Sequence, residues 1–367
     1  MEYRINSAIK NQIKVSYAIE SGEPARSYDV DCGEGINIVM AAPAAQKAFS
    51  EIQFDMLRLY PHSIKLKDAI IDYWKDFGSV SRSEIVLADG SISAIYLVNR
   101  LFLEAGDRVL GYTPQFSEYG TDVRMRGCEF DSVALKAEDN YRFSAADMVA
   151  ALRPEHKLVY MDNPNNPTGQ IIPLDQISEV LKAAEKMNIC VIVDEAYGDY
   201  MPRKCSAINL RSQFKNLIVL KTFSKGFGLA GLRAGYAVLP EELSAAMGNI
   251  NNPYSVSELS RYIAAETIKD AAFLETLRAK NAELKRRLYK PWKNISIAHT
   301  DDTVSICMMT HRNPSVDLAE EFARQGILVI SGADFCSIGA NSVRFRVPSE
   351  EGMEKVLEAM RKIDEGN

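Results

Sequence analysis

The sequence predicts an α/β protein with a mainly parallel central sheet flanked by helices, joined to a smaller α+β unit. Between residues 83 and 239, short apolar runs alternate with longer stretches of helical periodicity, the pattern of a parallel sheet covered on both faces. At 367 residues, 47% apolar and 25% charged, the chain can bury a large core and divide into two units. Beyond about residue 240 the texture changes to a long helical stretch, short apolar runs and a terminal amphipathic helix. The expected division is an N-terminal arm or part of the small unit over 1–43, a large unit over 44–245 and a small C-terminal unit over 246–367.

The first 43 residues lack strong periodicity and read as an arm that joins the small unit or a partner. Six strands are predicted in the large unit: "EIVLA" (84–88), "DRVLGY" (107–112), "KLVYM" (157–161), "CVIVD" (190–194), "NLIVL" (216–220) and "GYAVL" (235–239). Between them, "LDQISEVLKAAEKM" (174–187) places apolar residues at i, i+3, i+4 and i+7, as a covering helix does. In the last third, a helical stretch over 257–288 precedes "SICMM", "ILVIS", "SVRFRV" and a helix near 353–363.

Composition excludes several classes of function. A net charge of −6 leaves no basic surface for nucleic acid, and the densest basic stretch, "RAKNAELKRR" (278–287), reads as a solvated helix face. The four histidines share no helix face, so neither a histidine metal site nor a serine-histidine triad is expected. The six cysteines are scattered and suit a reducing compartment. No charged leader or apolar run of about 18 residues points to export or a membrane, so the expected location is cytoplasmic.

One glycine-rich stretch, "SKGFGLAGLRAGYAV" (224–238), matches G-x-G-x-x-G at Gly226, Gly228 and Gly231. A dinucleotide loop needs a helix opening inside it and an acidic residue about 20 positions later. Here an extended apolar run follows almost at once, and "NINNPYS" (249–255) is uncharged. The glycines are therefore read as serving the lysine that precedes them.

In open α/β sheets ligands bind beyond the carboxyl ends of the strands. After three of the predicted strands come "DNPNNPTG" (162–169), "DEAYGDY" (194–200) and "KTFSKGFGLAGLR" (221–233), so an Asn-rich turn, an Asp and a Lys share one rim. Singly, each is a turn, a helix cap or a surface lysine; together, in this order, they are specific. From about Asp29 to the C-terminus the chain resembles the class I/II aminotransferases, pyridoxal-phosphate enzymes of fold type I with the aspartate aminotransferase fold.

That resemblance implies pyridoxal 5'-phosphate as cofactor, and each site residue meets one of its needs. Lys225 would bind it through a Schiff base and afterwards shuttle a proton at the substrate Cα. Asp194 would pair with the pyridinium nitrogen, Asn166 and Tyr197 would hydrogen-bond the phenolic oxygen, and Phe116 would stack on the ring. The phosphate would take the helix-opening amides of Gly90, Ser91 and Ile92, with Thr222, Ser224 and Arg233 on its other side. Tyr60, in "RLYPH", would reach the phosphate of a neighbouring subunit, which implies a homodimer. Arg344, in "SVRFRV", would hold the substrate carboxylate, a task a planar guanidinium suits, beside Asn166 and Tyr254. Arg346, two residues on, is open between structural pairing and substrate contact.

Within the family, "NPYSVS" and the compact N-terminus lean toward the histidinol-phosphate aminotransferase-like group. The substrates implied are an L-amino acid, or a related amine such as histidinol phosphate, and a 2-oxo acid. Two positions depart from that group: Ile330 stands where many members carry an arginine, and "CGEGIN" (32–37) replaces N-E-N-P. Two alternatives stay open. "YDVDCGEGIN" and "SGADF" bear a looser likeness to threonine-phosphate decarboxylase, and a pyridoxal-phosphate-binding protein without turnover would share the same motifs.

Overall fold

The computed structural model describes residues 3–10 and 27–366, so most of the expected N-terminal arm lies outside the described residues. In chain order the strands are β1 (Val30–Asp31), β2 (Ile85–Ala88), β3 (Arg108–Thr113), β4 (Glu129–Ala134), β5 (His156–Asp162), β6 (Cys190–Asp194), β7 (Leu217–Thr222), β8 (Gly235–Val238), β9 (Ile295–Ile297), β10 (Ile306–His311), β11 (Ile327–Leu328), β12 (Ile330–Ser331) and β13 (Ser342–Arg346).

Seven of them form the central sheet in the order β2-β8-β7-β6-β5-β3-β4. β7, β6, β5, β3 and β4 are mutually parallel, while β8 runs antiparallel to both β7 and β2. Both faces are covered, which is why these strands are apolar throughout and do not alternate with polar residues. Val159, Met161, Val191, Val193 and Val219 enter one core; Leu158, Tyr160, Ile192, Ile218 and Leu220 enter the other. The α/β expectation therefore holds.

Within the central sheet, β4 is the strand the sequence did not suggest. It lies at the sheet edge and pairs only with β3, and its half-exposed "EFDSVA" carries no continuous apolar run. Its place is held partly by charge: Arg108 grips the Asp131 carboxylate through Nε and Nη2 at 2.9 and 2.7 Å, and His156 reaches it at 3.0 Å.

The helical stretch expected over 257–288 is two helices, Glu258–Thr267 and Ala271–Arg286. Asp270 divides them, because its carboxylate accepts the amide of Phe273 at 3.1 Å and so starts a new helix. β9, β10, β12 and β13 form an antiparallel sheet packed on helix Glu350–Glu365. That helix begins at Ser349, whose hydroxyl caps Gly352, and it buries Met353, Val356, Met360 and Ile363 at helical spacing. Each such side chain contributes about 1.5–3 kcal/mol of burial. Val30 and Cys32 enter the same core, since β1 pairs in parallel with β11.

Among the described residues, no helix is long and apolar enough to cross a membrane, and no group of three or more His, Cys, Asp or Glu is disposed to hold a metal ion.

Candidate active site

A cavity of about 490 Å³ opens at the carboxyl ends of β5, β6 and β7, the rim the motifs share. Ser91, Ile92, Phe116, Asn166, Asp194, Tyr197, Thr222, Ser224, Lys225, Arg233 and Arg344 all line it, although they come from segments up to 253 residues apart.

The last residue of β6, Asp194, is 3% exposed. Its carboxylate accepts the Tyr160 hydroxyl at 2.9 Å and the Ala196 amide at 2.9 Å. Burial pushes its pKa up to about 7, against those two hydrogen bonds, with the nearby Asp162 charge acting in the same direction as burial. Asp162 stands opposite it at the end of β5. Four donors converge on Asp162: the Tyr112 hydroxyl (2.7 Å), the Asn165 amide (2.9 Å), and the backbone N–H groups of Phe116 (3.2 Å) and Asn166 (2.9 Å). This residue, inside a quoted motif but given no role from sequence, ties the Phe116 and Asn166 segments together beneath the cavity.

Lys225 follows β7, half-buried, with Nζ 5.5 Å from the centre of the Tyr197 ring. Its backbone carbonyl accepts the amides of Asn37 (3.0 Å) and Gly228 (3.1 Å), which hold the loop in place. The glycine-rich stretch then makes a short 3-10 turn, Ala230–Leu232, and enters β8 with no crossover helix.

Gly90 caps helix Ser91–Phe102 with φ of +84°, a conformation that favours glycine. A Cβ there would lie 2.8 Å from the Arg233 guanidinium, which is held by the carbonyls of Asp89 (3.2 Å) and Ala230 (3.0 Å). The helix N-terminus, this cation and the Thr222 and Ser224 hydroxyls, 2.9 Å apart, thus face one region suited to an anion.

At the other end of the cavity Arg344 is buried on β13. It donates to Asn166 Oδ1 at 3.1 Å and to the carbonyl of Gly33. Arg346 points the same way on the strand but does not line the cavity; it donates to the carbonyls of Asp31 and Val347 and lies 3.6 Å from the Asp31 carboxylate. Of the two readings open for Arg346, the structure supports pairing.

The segment these arginines hold crosses the cavity directly over Tyr197. A Cβ on Gly35 would fall 1.7 Å from the Tyr197 hydroxyl, so only glycine fits there. Glu34, Gly35, Ile36 and Ile330 also line the cavity, as do Tyr96 and Glu118, joined by a 2.6 Å hydrogen bond. The sequence marks Ile330 and the 32–37 segment only as departures from a related group and Tyr96 and Glu118 not at all, because nothing local shows which residues a distant segment will meet.

Tyr60 and Tyr254 do not line the cavity of their own chain. They stack on each other with centroids 4.6 Å apart, 71% and 48% exposed, and Tyr254 has φ of +63°.

These residues fit a phosphorylated pyridine cofactor on structural grounds. The Tyr197 hydroxyl is buried and has no hydrogen-bond partner among the described residues, although Tyr197 lines the cavity, and such a group is costly unless a ligand satisfies it. The buried Asp194 carboxylate keeps acceptor capacity for a cation, and the Gly90–Arg233 region suits a phosphate.

Comparison with known proteins agrees. The family model for aminotransferase class I and II matches residues 29–360. The chain is 30% identical over 330 residues to a histidinol-phosphate aminotransferase of Ruminiclostridium cellulolyticum, covering 89% of both chains, and 29% identical to that of Brevibacillus brevis, covering 89% of this chain and 88% of the other. In fold it is similar to the histidinol-phosphate aminotransferase of Clostridium acetobutylicum (TM-score 0.79, 21% identity, 92% of this chain and 100% of the other). The aspartate aminotransferase of Thermus thermophilus with maleate is equally similar (TM-score 0.79, 19% identity, 92% and 91%). With its lysine, aspartate and arginine gathered at one end of a mainly parallel sheet, the chain belongs to the class I and II aminotransferases, pyridoxal-phosphate-dependent enzymes of fold type I that exchange amino and oxo groups between amino acids and oxo acids.

Proposed function

We propose that the amino donor is an L-amino acid, or a related amine of the histidinol phosphate kind that names its relatives, that the acceptor is a 2-oxo acid, and that Lys225 is the catalytic base. The observation that carries this reading is the convergence of Lys225, Asp194 and Arg344 on one cavity. When bound, pyridoxal phosphate supplies an electron sink for charge developing at the substrate Cα.

The chain's own residues do the rest. Lys225 would hold the cofactor covalently, and its amine would serve to move the proton at the substrate Cα. Asp194 keeps the ring nitrogen charged, since a buried carboxylate favours a neighbouring cation. Tyr197 and Asn166 donate to the ring oxygen, and Phe116 covers one ring face. Gly90, Ser91, Ile92, Thr222, Ser224 and Arg233 hold the phosphate. Arg344, already braced by Asn166 and Gly33, takes the donor's anion, the carboxylate of an amino acid or the phosphate of a histidinol-phosphate-like amine, and so fixes which Cα bond is turned to Lys225.

The working form is a homodimer in which Tyr60, and Tyr254 stacked on it, reach the partner's site. Phe49, Phe54, Leu57, Leu59, Tyr60 and Ile64 are all exposed on one stretch of the single chain, an apolar surface that a second copy would cover. Residues 44–245 form the body of the cofactor-binding unit, whose core also takes Val256, Ile263, Ala264, Phe273 and Leu277 from the 246–367 segment, while the arm adds Val30 to the core of the small unit. A cytoplasmic location suits six unpaired cysteines.

Single-turnover mixing of the holoenzyme with amines tests the reaction type. Loss of the visible absorbance of the bound cofactor without release of carbon dioxide is expected; stoichiometric carbon dioxide would overturn transfer in favour of decarboxylation.

A further inference from the structure

We propose that Glu34, Ile36 and Ile330 form the subsite for the substrate side chain, and that it takes amino donors with an apolar stem and a positively charged end. This rests on the placement of the substrate carboxylate at Arg344.

Two facts locate the subsite. Ile330 on β12 is the direct antiparallel partner of Arg344 on β13, so it sits beside the carboxylate anchor. Gly35 approaches the Tyr197 hydroxyl so closely that its neighbours Glu34 and Ile36 are set at the cavity mouth above the reacting centre. A side chain leaving Cα between these walls meets Ile36 and Ile330 first and the Glu34 carboxylate at the solvent end.

The charges of the cavity decide what that end can be. Among the described residues, its cations are Lys225, Arg233 and Arg344. The covalent link, the cofactor phosphate and the substrate carboxylate use all three. A second anion on the donor, whether phosphate or carboxylate, would find no further cation among the described residues that line the cavity and would face Glu34. That carboxylate has no ion-pair partner among the described residues, so an ammonium or guanidinium can take it without displacing another cation.

The position of Glu34 is also built. The Asp31 carboxylate accepts the amides of Gly33 (2.7 Å) and Glu34 (3.3 Å), turning the chain there. Arg346 and Arg344 then hold the carbonyls of Asp31 and Gly33 from below.

Three donors of equal straight stem provide the test: norleucine, lysine and 2-aminoadipate, neutral, cationic and anionic at the end. Each is mixed with holoenzyme, and the rate of cofactor absorbance loss gives kcat/KM for the half-reaction. Glu34 is exposed, so lysine is expected to exceed norleucine by up to about fivefold, with 2-aminoadipate slowest. In Glu34→Gln the lysine-to-norleucine ratio should fall to about one, and in Glu34→Lys 2-aminoadipate should overtake lysine. Ratios taken within one variant are insensitive to partial misfolding. A wild type that prefers 2-aminoadipate, or ratios that ignore Glu34, would overturn the subsite. So would reaction with other amines but none of these three. Failure of every amine to cause any loss of absorbance would strike the aminotransfer reading itself.

Discussion

Asp162 and Asp194 face each other as the last paired residues of β5 and β6, yet their surroundings differ. Asp162 accepts four hydrogen bonds from Tyr112, Asn165, Phe116 and Asn166, while Asp194 accepts two, from Tyr160 and Ala196. One carboxylate is consumed by the fold, and the other keeps capacity for a ligand. Asp194→Ala should therefore retain part of its cofactor and lose turnover roughly 100-fold or more. Measured activity within a few-fold of wild type would remove Asp194 from the mechanism.

The same asymmetry gives a pH dependence. In the apoenzyme burial raises the Asp194 pKa to about 7, well above its unfolded value, so the folded state binds the extra proton between the two. Its contribution to stability is present at low pH and falls as pH rises through that window. A cationic ring nitrogen reverses this by favouring the carboxylate. The melting-temperature gain on adding cofactor should grow from about pH 5 to about pH 8, and Asp194→Asn should flatten the trend.

Lys225→Ala should abolish covalent retention of the cofactor. Borohydride reduction followed by peptide mapping is expected to label Lys225 in the wild type and nothing in the variant. A label on Lys221 would redirect the assignment to a residue that is instead buried, 3.2 Å from Glu195.

Arg344→Lys keeps the charge but loses the planar fork, so KM for the amino donor should rise about tenfold or more while the cofactor spectrum is unchanged. A fall in kcat alone would place Arg344 elsewhere in the reaction.

Replacing Phe54 and Leu59, both exposed on the single chain, with Asp should give a folded monomer lacking activity. Sedimentation and assay together decide this; an active monomer would contradict a site completed by Tyr60.

Much of this architecture is legible in the sequence because it is locally encoded. Strands buried on both faces must be apolar throughout, and β5, β6 and β7 announce themselves that way. Their polar ends then name Asp194, Asn166 and Lys225. β4 is hidden because an edge strand carrying Asp131 and Ser132 resembles a loop. Arg346 could not be separated from Arg344 by inspection, since residues two apart on a strand share a face, and only the location of Asp31 divides their duties. The sequence singles out the segment of Glu34 and Ile36 but not their surroundings, for a related reason: what they face is set by Tyr197 and β12, far away in the chain.

The grip of Arg344 and Arg346 on Gly33 and Asp31 joins positions 311 and 315 residues apart. During synthesis the sheet that carries Lys225 can be assembled while this link is still missing, for β13 follows every strand of that sheet along the chain. The nascent chain thus acquires its nucleophile long before it acquires the roof and the carboxylate anchor. Competence for catalysis therefore waits on steps that follow assembly of the sheet, and a chain truncated before β13 would keep its lysine without the means to orient a substrate against it.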